Sequence, residues 1–383
     1  MVKSTLFTVA FYMSIQLLLA QQITFKAHQK YTYTDGAGYR ANDILLLNGD
    51  LIISGNFSDN GSHPIATRFN SKGEFGRDLY WDKVIGNLTN INVVNDTCIL
   101  LSGGFDGKNL TTLSNNALYQ RHPSFYKDFG DYATTLQHSF YNSSGQMVNI
   151  YGGAYTSSVK VQVLKDNQEI SMVALDKPMY LYKSAVSASR KTLYIITKRY
   201  DDLINIFKYD ISNPLKPKFV LNSYEYDNNE LKYRDLLSQV TDDGFCTVSN
   251  VYETSEKDAE EVTYTTERKV NFYDENLKQK STYTASADSR DIDYLVDYGN
   301  GQFLQVFYNY RCVDVYILDN KLEVVTRFQY YIQEDLEKLL CDKWEKIVVK
   351  LMGNTLGVLY PYAAPGDSES AINTWELFTF TLQ

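Results

Sequence analysis

The sequence predicts an all-β chain folded as a seven-bladed β-propeller, with the N-terminal strand closing the last blade. Three observations predict it: a turn-and-strand motif that recurs seven times, a second turn that keeps phase with the first, and a last repeat one strand short where the start of the chain has a strand to spare. The first motif appears at Asn48-Gly49-Asp50-Leu51, Asn95-Asp96-Thr97-Cys98, Ser144-Gly145-Gln146-Met147, Arg190-Lys191-Thr192-Leu193, Asp243-Gly244-Phe245, Asn300-Gly301-Gln302-Phe303 and Gly353-Asn354-Thr355-Leu356. Each instance opens an apolar run. From Leu51 through Cys98, Met147, Leu193, Phe245, Phe303 and Leu356 the steps are 47, 49, 46, 52, 58 and 53 residues, close to the length of a four-stranded blade.

The second landmark is an alternating strand that ends in an aromatic residue or Leu, followed by Asn or Asp: Phe69-Asn70, Leu164-Lys165-Asp166-Asn167, Tyr209-Asp210, Tyr273-Asp274 and Leu318-Asp319-Asn320. Short Asn and Asp side chains suit such corners because they bond the backbone and tolerate unusual dihedrals. In the final period only three strands can be read, over 344–352, 355–362 and 374–382, where a blade needs four. The stretch 23–34 supplies the missing strand, expected outside 375–382, where it would satisfy two exposed edges at once.

Residues 1–20 read as a signal peptide and 21–383 as a single propeller domain. Lys3 precedes an apolar run from Leu6 to Leu19, broken by Thr8, Ser14 and Gln16, and small Ala20 follows. That run is about 14 residues, shorter than the roughly 20 needed to span a bilayer. No later segment reads as a membrane span, so the expected destination is extracellular or the secretory-pathway lumen. Six Asn-X-Ser/Thr sequons, beginning at Asn56, Asn60, Asn87, Asn95, Asn109 and Asn142, fit export and all precede residue 143. They predict a glycan-covered first third and a barer remainder.

Lys plus Arg number 37 against 46 Asp plus Glu, a net charge of −9, which argues against nucleic acid or anionic membrane as the main partner. The chain has 32 Tyr and only 7 Pro, a composition that favours strands.

Individual blades carry resemblances. Asp50-Leu-Ile-Ile-Ser-Gly55-Asn-Phe57 followed by Ile65-Ala-Thr-Arg68-Phe-Asn70-Ser-Lys-Gly73 resembles a delta-sixty-type surface repeat. Leu100-Leu-Ser-Gly103-Gly104-Phe-Asp-Gly107 and Ile150-Tyr-Gly152-Gly153 are similar to the diglycine of kelch blades, and Tyr209-Asp-Ile-Ser-Asn-Pro214-Leu-Lys-Pro217-Lys resembles the LVIVD-type repeat. Arg190 stands where a turn glycine is usual, and the kelch Trp is missing apart from Trp81. The mixture implies propeller architecture and no single family's activity.

Two segments break the pattern. Glu253 to Glu261 reads as a charged, solvated hairpin tip. Tyr331 to Trp344 places Ile332, Leu336, Leu339 and Leu340 at helical spacing and is expected to form a short amphipathic helix capping one end of the ring.

The four cysteines do not form a disulfide scaffold. Cys98 and Cys246 fall on the same strand of blades two and five, too far apart for the roughly 7 Å a disulfide requires, and are expected as buried free thiols. Cys312, in blade six, and Cys341, on the expected helix, are neighbours and form a candidate disulfide. No metal site is expected, since there is no CxxC pair and no His near any cysteine.

Catalytic signals are sparse. His28 lies on the closing strand, His63 and His122 beside prolines in expected loops, and His138 elsewhere; none has metalloprotease spacing, and no nucleophile elbow, P-loop or cofactor motif occurs. One constellation is suggestive. Arg40 with Asp43, Arg234 with Asp235, and Arg290 with Asp291 each stand just before the expected innermost strand of a blade, at Ile44, Leu236 and Ile292, and would ring one mouth of the channel. Two readings stand for them: forked hydrogen bonds to an anionic or polyhydroxylated ligand, or interblade salt bridges. Asp288 and Asp293 beside the third pair add oxygen donors of the kind a structural cation takes, but no Asp-rich loop of recognised spacing accompanies them. The functional expectation is a secreted or cell-surface module that recognises a protein or glycan; the alternative is an extracellular hydrolase or lyase acting on carbohydrate or ester.

Overall fold

The structure of the chain is a computed structural model. It describes residues 23–34, 38–58, 62–81, 86–95, 98–105, 108–115, 118, 125–129, 134–153, 158–166, 168–176, 181–187, 189–198, 203–226, 231–241, 244–257, 260–286, 292–299, 302–308, 312–319, 323–332, 347–362 and 374–383. The expected signal peptide and most of the expected helix lie outside these residues.

Seven antiparallel four-stranded sheets form the blades, each numbered outward from the channel. Blade 1 holds β2 (Tyr39–Leu47), β3 (Asp50–Ser58), β4 (Ser62–Phe69) and β5 (Phe75–Tyr80). Blade 2 holds β6 (Asn87–Asn95), β7 (Cys98–Phe105), β8 (Lys108–Asn115) and β9 (Phe125–Asp128). Blade 3 holds β10 (Thr135–Tyr141), β11 (Met147–Gly152), β12 (Lys160–Lys165) and β13 (Gln168–Ala174). Blade 4 holds β14 (Leu181–Val186), β15 (Thr192–Lys198), β16 (Leu203–Asp210) and β17 (Lys218–Tyr226). Blade 5 holds β18 (Leu231–Thr241), β19 (Gly244–Lys257), β20 (Glu260–Asp274) and β21 (Gln279–Ser286). Blade 6 holds β22 (Ile292–Gly299), β23 (Gln302–Tyr308), β24 (Cys312–Leu318) and β25 (Val324–Tyr331). Blade 7 holds β26 (Val348–Met352), β27 (Thr355–Tyr362) and β28 (Thr374–Leu382), and its outer strand is β1 (Ile23–Thr32).

In chain order, every instance of the first sequence motif spans the junction of a blade's first and second strands. At Asn48 and Gly49 φ is +54° and +87°, the pair of positive angles that a tight two-residue hairpin needs. The second landmark falls between the third and fourth strands. There the carboxamide or carboxylate oxygen of Asn70, Asp210, Asp274 or Asp319 accepts backbone N–H groups two to four residues on, at 2.8–3.0 Å. Ring closure takes the expected form: β1 pairs with β28 from Ile23 opposite Leu382 to Thr32 opposite Thr374. Tyr31 and Trp375, opposite each other on that pairing, are both buried, and the Trp375 ring meets Tyr39 of blade 1 edge-on at 4.9 Å.

Sheet alternation sends one side chain set toward the preceding blade and the other toward the following one, so the core is a ring of interblade clusters. Ile53, Ile65 and Leu51 of blade 1 pack on Leu359, Trp375 and Leu377 of blade 7, while Ile52 and Ala66 pack on Ile99, Leu101 and Leu110 of blade 2. His63, expected in a loop, instead lies in β4, its ring against Tyr80.

A bulge recurs in the inner strands. Relative to the second strand, register slips at Asn42 in β2, Thr89 in β6, Gln137 in β10, Tyr182 in β14, residues 233–234 in β18 and Asp293 in β22. Gly55 and Gly103 make room for it in blades 1 and 2, where a Cβ would sit 1.8 Å from Arg40 O and 1.9 Å from Asn87 O. The sharply twisted first strand therefore comes within backbone contact of its neighbour, which only glycine permits.

Candidate functional site, the bulged mouth of the channel

Because all blades share one topology, the six bulges ring the end of the channel at which the inner strands begin. Arg40 and Asp43 lie inside β2, and Arg234 and Asp235 inside β18, so the expectation that they precede the inner strands is corrected: those strands begin several residues earlier than the apolar pattern shows. Arg290 and Asp291 lie outside the described residues, as do Asp288 and the side chains of Arg234 and Asp235.

Asp43 does not pair with Arg40, whose side chain is exposed. Its Oδ1 accepts the Ile44 N–H at 2.8 Å, and its Oδ2 accepts the Ile91 N–H of blade 2 at 2.8 Å and the Lys350 Nζ of blade 7 at 2.7 Å. Lys350 Nζ also donates to Ile91 O at 2.8 Å. One carboxylate and one ammonium thus tie three consecutive inner strands together, and of the two readings of Asp43 the interblade ion pair is the one realised.

Similar ties step round the mouth. Asn42 Nδ2 donates to Leu88 O at 3.1 Å, Asn92 Nδ2 to Ser139 O at 3.2 Å, and His138 Nε2 lies 2.9 Å from Ser184 O and 3.1 Å from Ser184 Oγ. Donor and acceptor are 46, 47 and 46 residues apart, the blade period itself. Burial lowers the His138 pKa, only partly opposed by the bond to Ser184, so the imidazole is neutral; the carbonyl partner places its proton on Nε2. Sequence reasoning missed Asn42, Asn92 and Lys350 and gave His138 no role; their signal was position in the repeat, not residue type.

The sequons separate by environment. Asn109 is 2% exposed: Nδ2 donates to Thr134 O at 3.3 Å and Oδ1 accepts the Leu136 N–H at 2.6 Å, so it fastens blade 2 to blade 3 and leaves no room for a glycan in the folded chain. Asn56 is half-buried with Nδ2 on Ser62 Oγ at 2.6 Å, and that hydroxyl lies 3.5 Å from Asn87 Oδ1. Asn142 sits on the turn before β11, its Oδ1 accepting the Ser144 and Gln146 N–H groups at 3.0 and 2.9 Å. Asn60 and the Asn95 side chain lie outside the described residues.

Cys98 opens β7 as a free thiol that is half-buried, not buried as expected, with burial raising its pKa; Cys246 is buried in β19. Cys312 is buried at the start of β24, and its candidate partner Cys341 lies outside the described residues. Among the described residues no group of three or more His, Cys, Asp or Glu side chains is placed to hold a metal ion, and no helix is long and apolar enough to cross a membrane.

No protein-family model matches the chain, and no curated protein matches it. Solved structures do. The crystal structure of the polysaccharide lyase Uly1 superposes with a TM-score of 0.58 at 9% identity, covering 94% of this chain and 99% of that one. The β-propeller domain of Cps50 (Swd1) from Myceliophteria thermophila superposes with a TM-score of 0.51 at 9% identity, covering 93% and 99%. At such identities the likeness is one of fold, and the chain is a seven-bladed β-propeller.

Proposed function

We propose that this propeller is a secreted or cell-surface recognition module that engages a protein or glycan partner through the outer rim of blades 6 and 7. The observation that carries this reading is where the exposed apolar side chains lie. Of eight large hydrophobics exposed among the described residues, Phe25, Val324, Val325 and Tyr331 belong to the adjacent outer strands β1 and β25, with Tyr331 at 68% exposure. The exposed Phe25 ring is anchored by face-to-face stacking on the partly buried Tyr330 at 4.4 Å and 13°, which holds one apolar side chain of the rim in place. Lys26 and Lys30 of the same strand are exposed. In a ring of seven, blade 6 stands across from blades 2 and 3, which carry the Asn87 and Asn142 sequons, while blade 7 adjoins blade 1 and its Asn56 sequon.

The test is binding of purified protein to an array of glycans and to intact cells of the source organism. Tyr331→Ala and Phe25→Lys are expected to reduce binding at least tenfold, with Arg40→Ala equal to wild type. Equal binding by all three, or loss only in Arg40→Ala, overturns the rim assignment.

A second reading, a hydrolase or lyase for carbohydrate or ester, rests on His138: with Nε2–H held by Ser184, Nδ1 is the atom left to accept a proton. The polysaccharide lyase of like fold suggests acidic polysaccharides as the first substrates to try, read by the ultraviolet absorbance of unsaturated product. Turnover abolished in His138→Ala would favour this reading over the first.

A further inference from the structure

The interface between blades 2 and 3 is lined largely by polar side chains. Ile99, Leu101 and Leu110 pack against blade 1, so alternation turns Leu100, Ser102 and Thr111 toward blade 3. Ser102 and Thr111 stand directly opposite each other on β7 and β8, are 0% and 1% exposed, and neither hydroxyl has a hydrogen-bond partner.

The wall they face is polar too. Ser139 Oγ donates to Asn149 Oδ1 at 2.6 Å; Asn149 Nδ2 donates to Tyr151 Oη at 3.1 Å and to Gln162 Oε1 at 3.0 Å; Tyr151 Oη donates to Gln162 Oε1 at 2.8 Å. Gln162 Nε2 then donates to Glu169 Oε2 at 2.6 Å, which receives Lys127 Nζ from blade 2 at 2.9 Å. Counting valences, both Asn149 Nδ2 protons and both Gln162 Oε1 lone pairs are used. One lone pair on Asn149 Oδ1, one on Tyr151 Oη and one Gln162 N–H remain as possible partners for something lying between the walls.

Interblade contacts among the described residues frame these groups. Asn109 fastens one end and Asn92 the channel side; the Lys127–Glu169 pair fastens the outer rim, and Leu100, Met147 and Leu164 plug the other end. Two buried hydroxyls facing leftover donors and acceptors beyond direct reach call for a small occupant that both donates and accepts. We infer that this seam is a binding site for ordered water, bridging Ser102 and Thr111 of blade 2 to the Asn149–Tyr151–Gln162 group of blade 3. A buried water characteristically takes two to four such bonds, and leaving the hydroxyls bare would cost their full desolvation.

A high-resolution crystal structure of the full propeller tests this directly. Water density within hydrogen-bond distance of both hydroxyls and of Asn149 or Gln162 is expected; a dry gap, or hydroxyls bonded straight to blade 3, overturns the inference. Thr111→Val gives a second readout. If the hydroxyl holds water, Tm falls by about 1–3 °C, and adding Ser102→Ala costs less than the two singles summed because the same water is lost. A Tm that is unchanged or higher in Thr111→Val means an unpartnered hydroxyl was removed, and the water site is rejected.

Discussion

Blades 6 and 7 meet through hydrocarbon and aromatic rings; blades 2 and 3 meet through hydrogen bonds. Between 6 and 7, Leu304, Val306, Val313, Val315, Leu356, Val358, Phe378 and Phe380 are buried at 2% exposure or less, in a cluster of thirteen buried residues. Between 2 and 3 the corresponding buried cluster among the described residues is Leu100, Met147 and Leu164, with Asn109, Ser139, Asn149 and Gln162 buried beside it. The contrast separates two ways of holding one architecture. Apolar burial supplies more free energy and is indifferent to direction, whereas a satisfied polar group adds little net stability but fixes how the two blades sit.

The largest effect should come from the side that completes the apolar junction. Deleting residues 23–34 removes β1 and bares Phe378 and Phe380 on β28; size-exclusion chromatography is expected to find aggregate and no cooperatively folding monomer. Next, Phe380→Ala at the apolar junction should cost about 3–5 kcal/mol in chemical denaturation. At the polar junction Asn109→Ala should cost less, about 1–3 kcal/mol, chiefly from leaving the Leu136 N–H and Thr134 C=O without it. Equal losses at the two junctions would dissolve the comparison.

Asp43→Asn sharpens it at the channel mouth. Both members of the pair are mostly buried, at 15% and 22% side-chain exposure. Removing the charge strands Lys350, with an expected loss of about 1–3 kcal/mol that added salt does not restore. The smallest effect is one of pH. Partial burial works against the charge of Glu169 but is outweighed by the hydrogen bonds from Lys127 and Gln162 and by the Lys127 charge, which hold its carboxyl below the usual range. A depressed carboxyl contributes stability above its unfolded pKa and loses it as pH falls through the folded one. Lys127→Met should therefore flatten the acid limb of Tm against pH while leaving the limb of Phe380→Ala as steep as wild type.

Much of the fold was legible because backbone geometry writes itself locally. Asn48-Gly49, Asn70 and Asp274 mark corners that the chain needs wherever it folds, so their spacing counted the blades, and the spare strand at 23–34 named its partner by elimination. The channel mouth was harder to read. Asp43 was visible as an acid near an arginine, but its partner is 307 residues away on blade 7, and nothing local distinguishes Lys350 from any other strand lysine. Likewise Asn109 satisfies a sequon by its neighbours in sequence, while its burial comes from Thr134 and Leu136 on the next blade.

The sequence by itself determined the number of blades, their hairpins and the strand that closes the ring, since turn chemistry and period-two alternation are properties of a few adjacent residues. Only the tertiary structure decided which polar groups are spent on holding blades together, that the Asp43 carboxylate is tied up at the mouth, and that exposed rings gather on blades 6 and 7. Those facts depend on which residues curvature brings face to face across a blade boundary, and each inner-strand bulge resets that pairing by one residue.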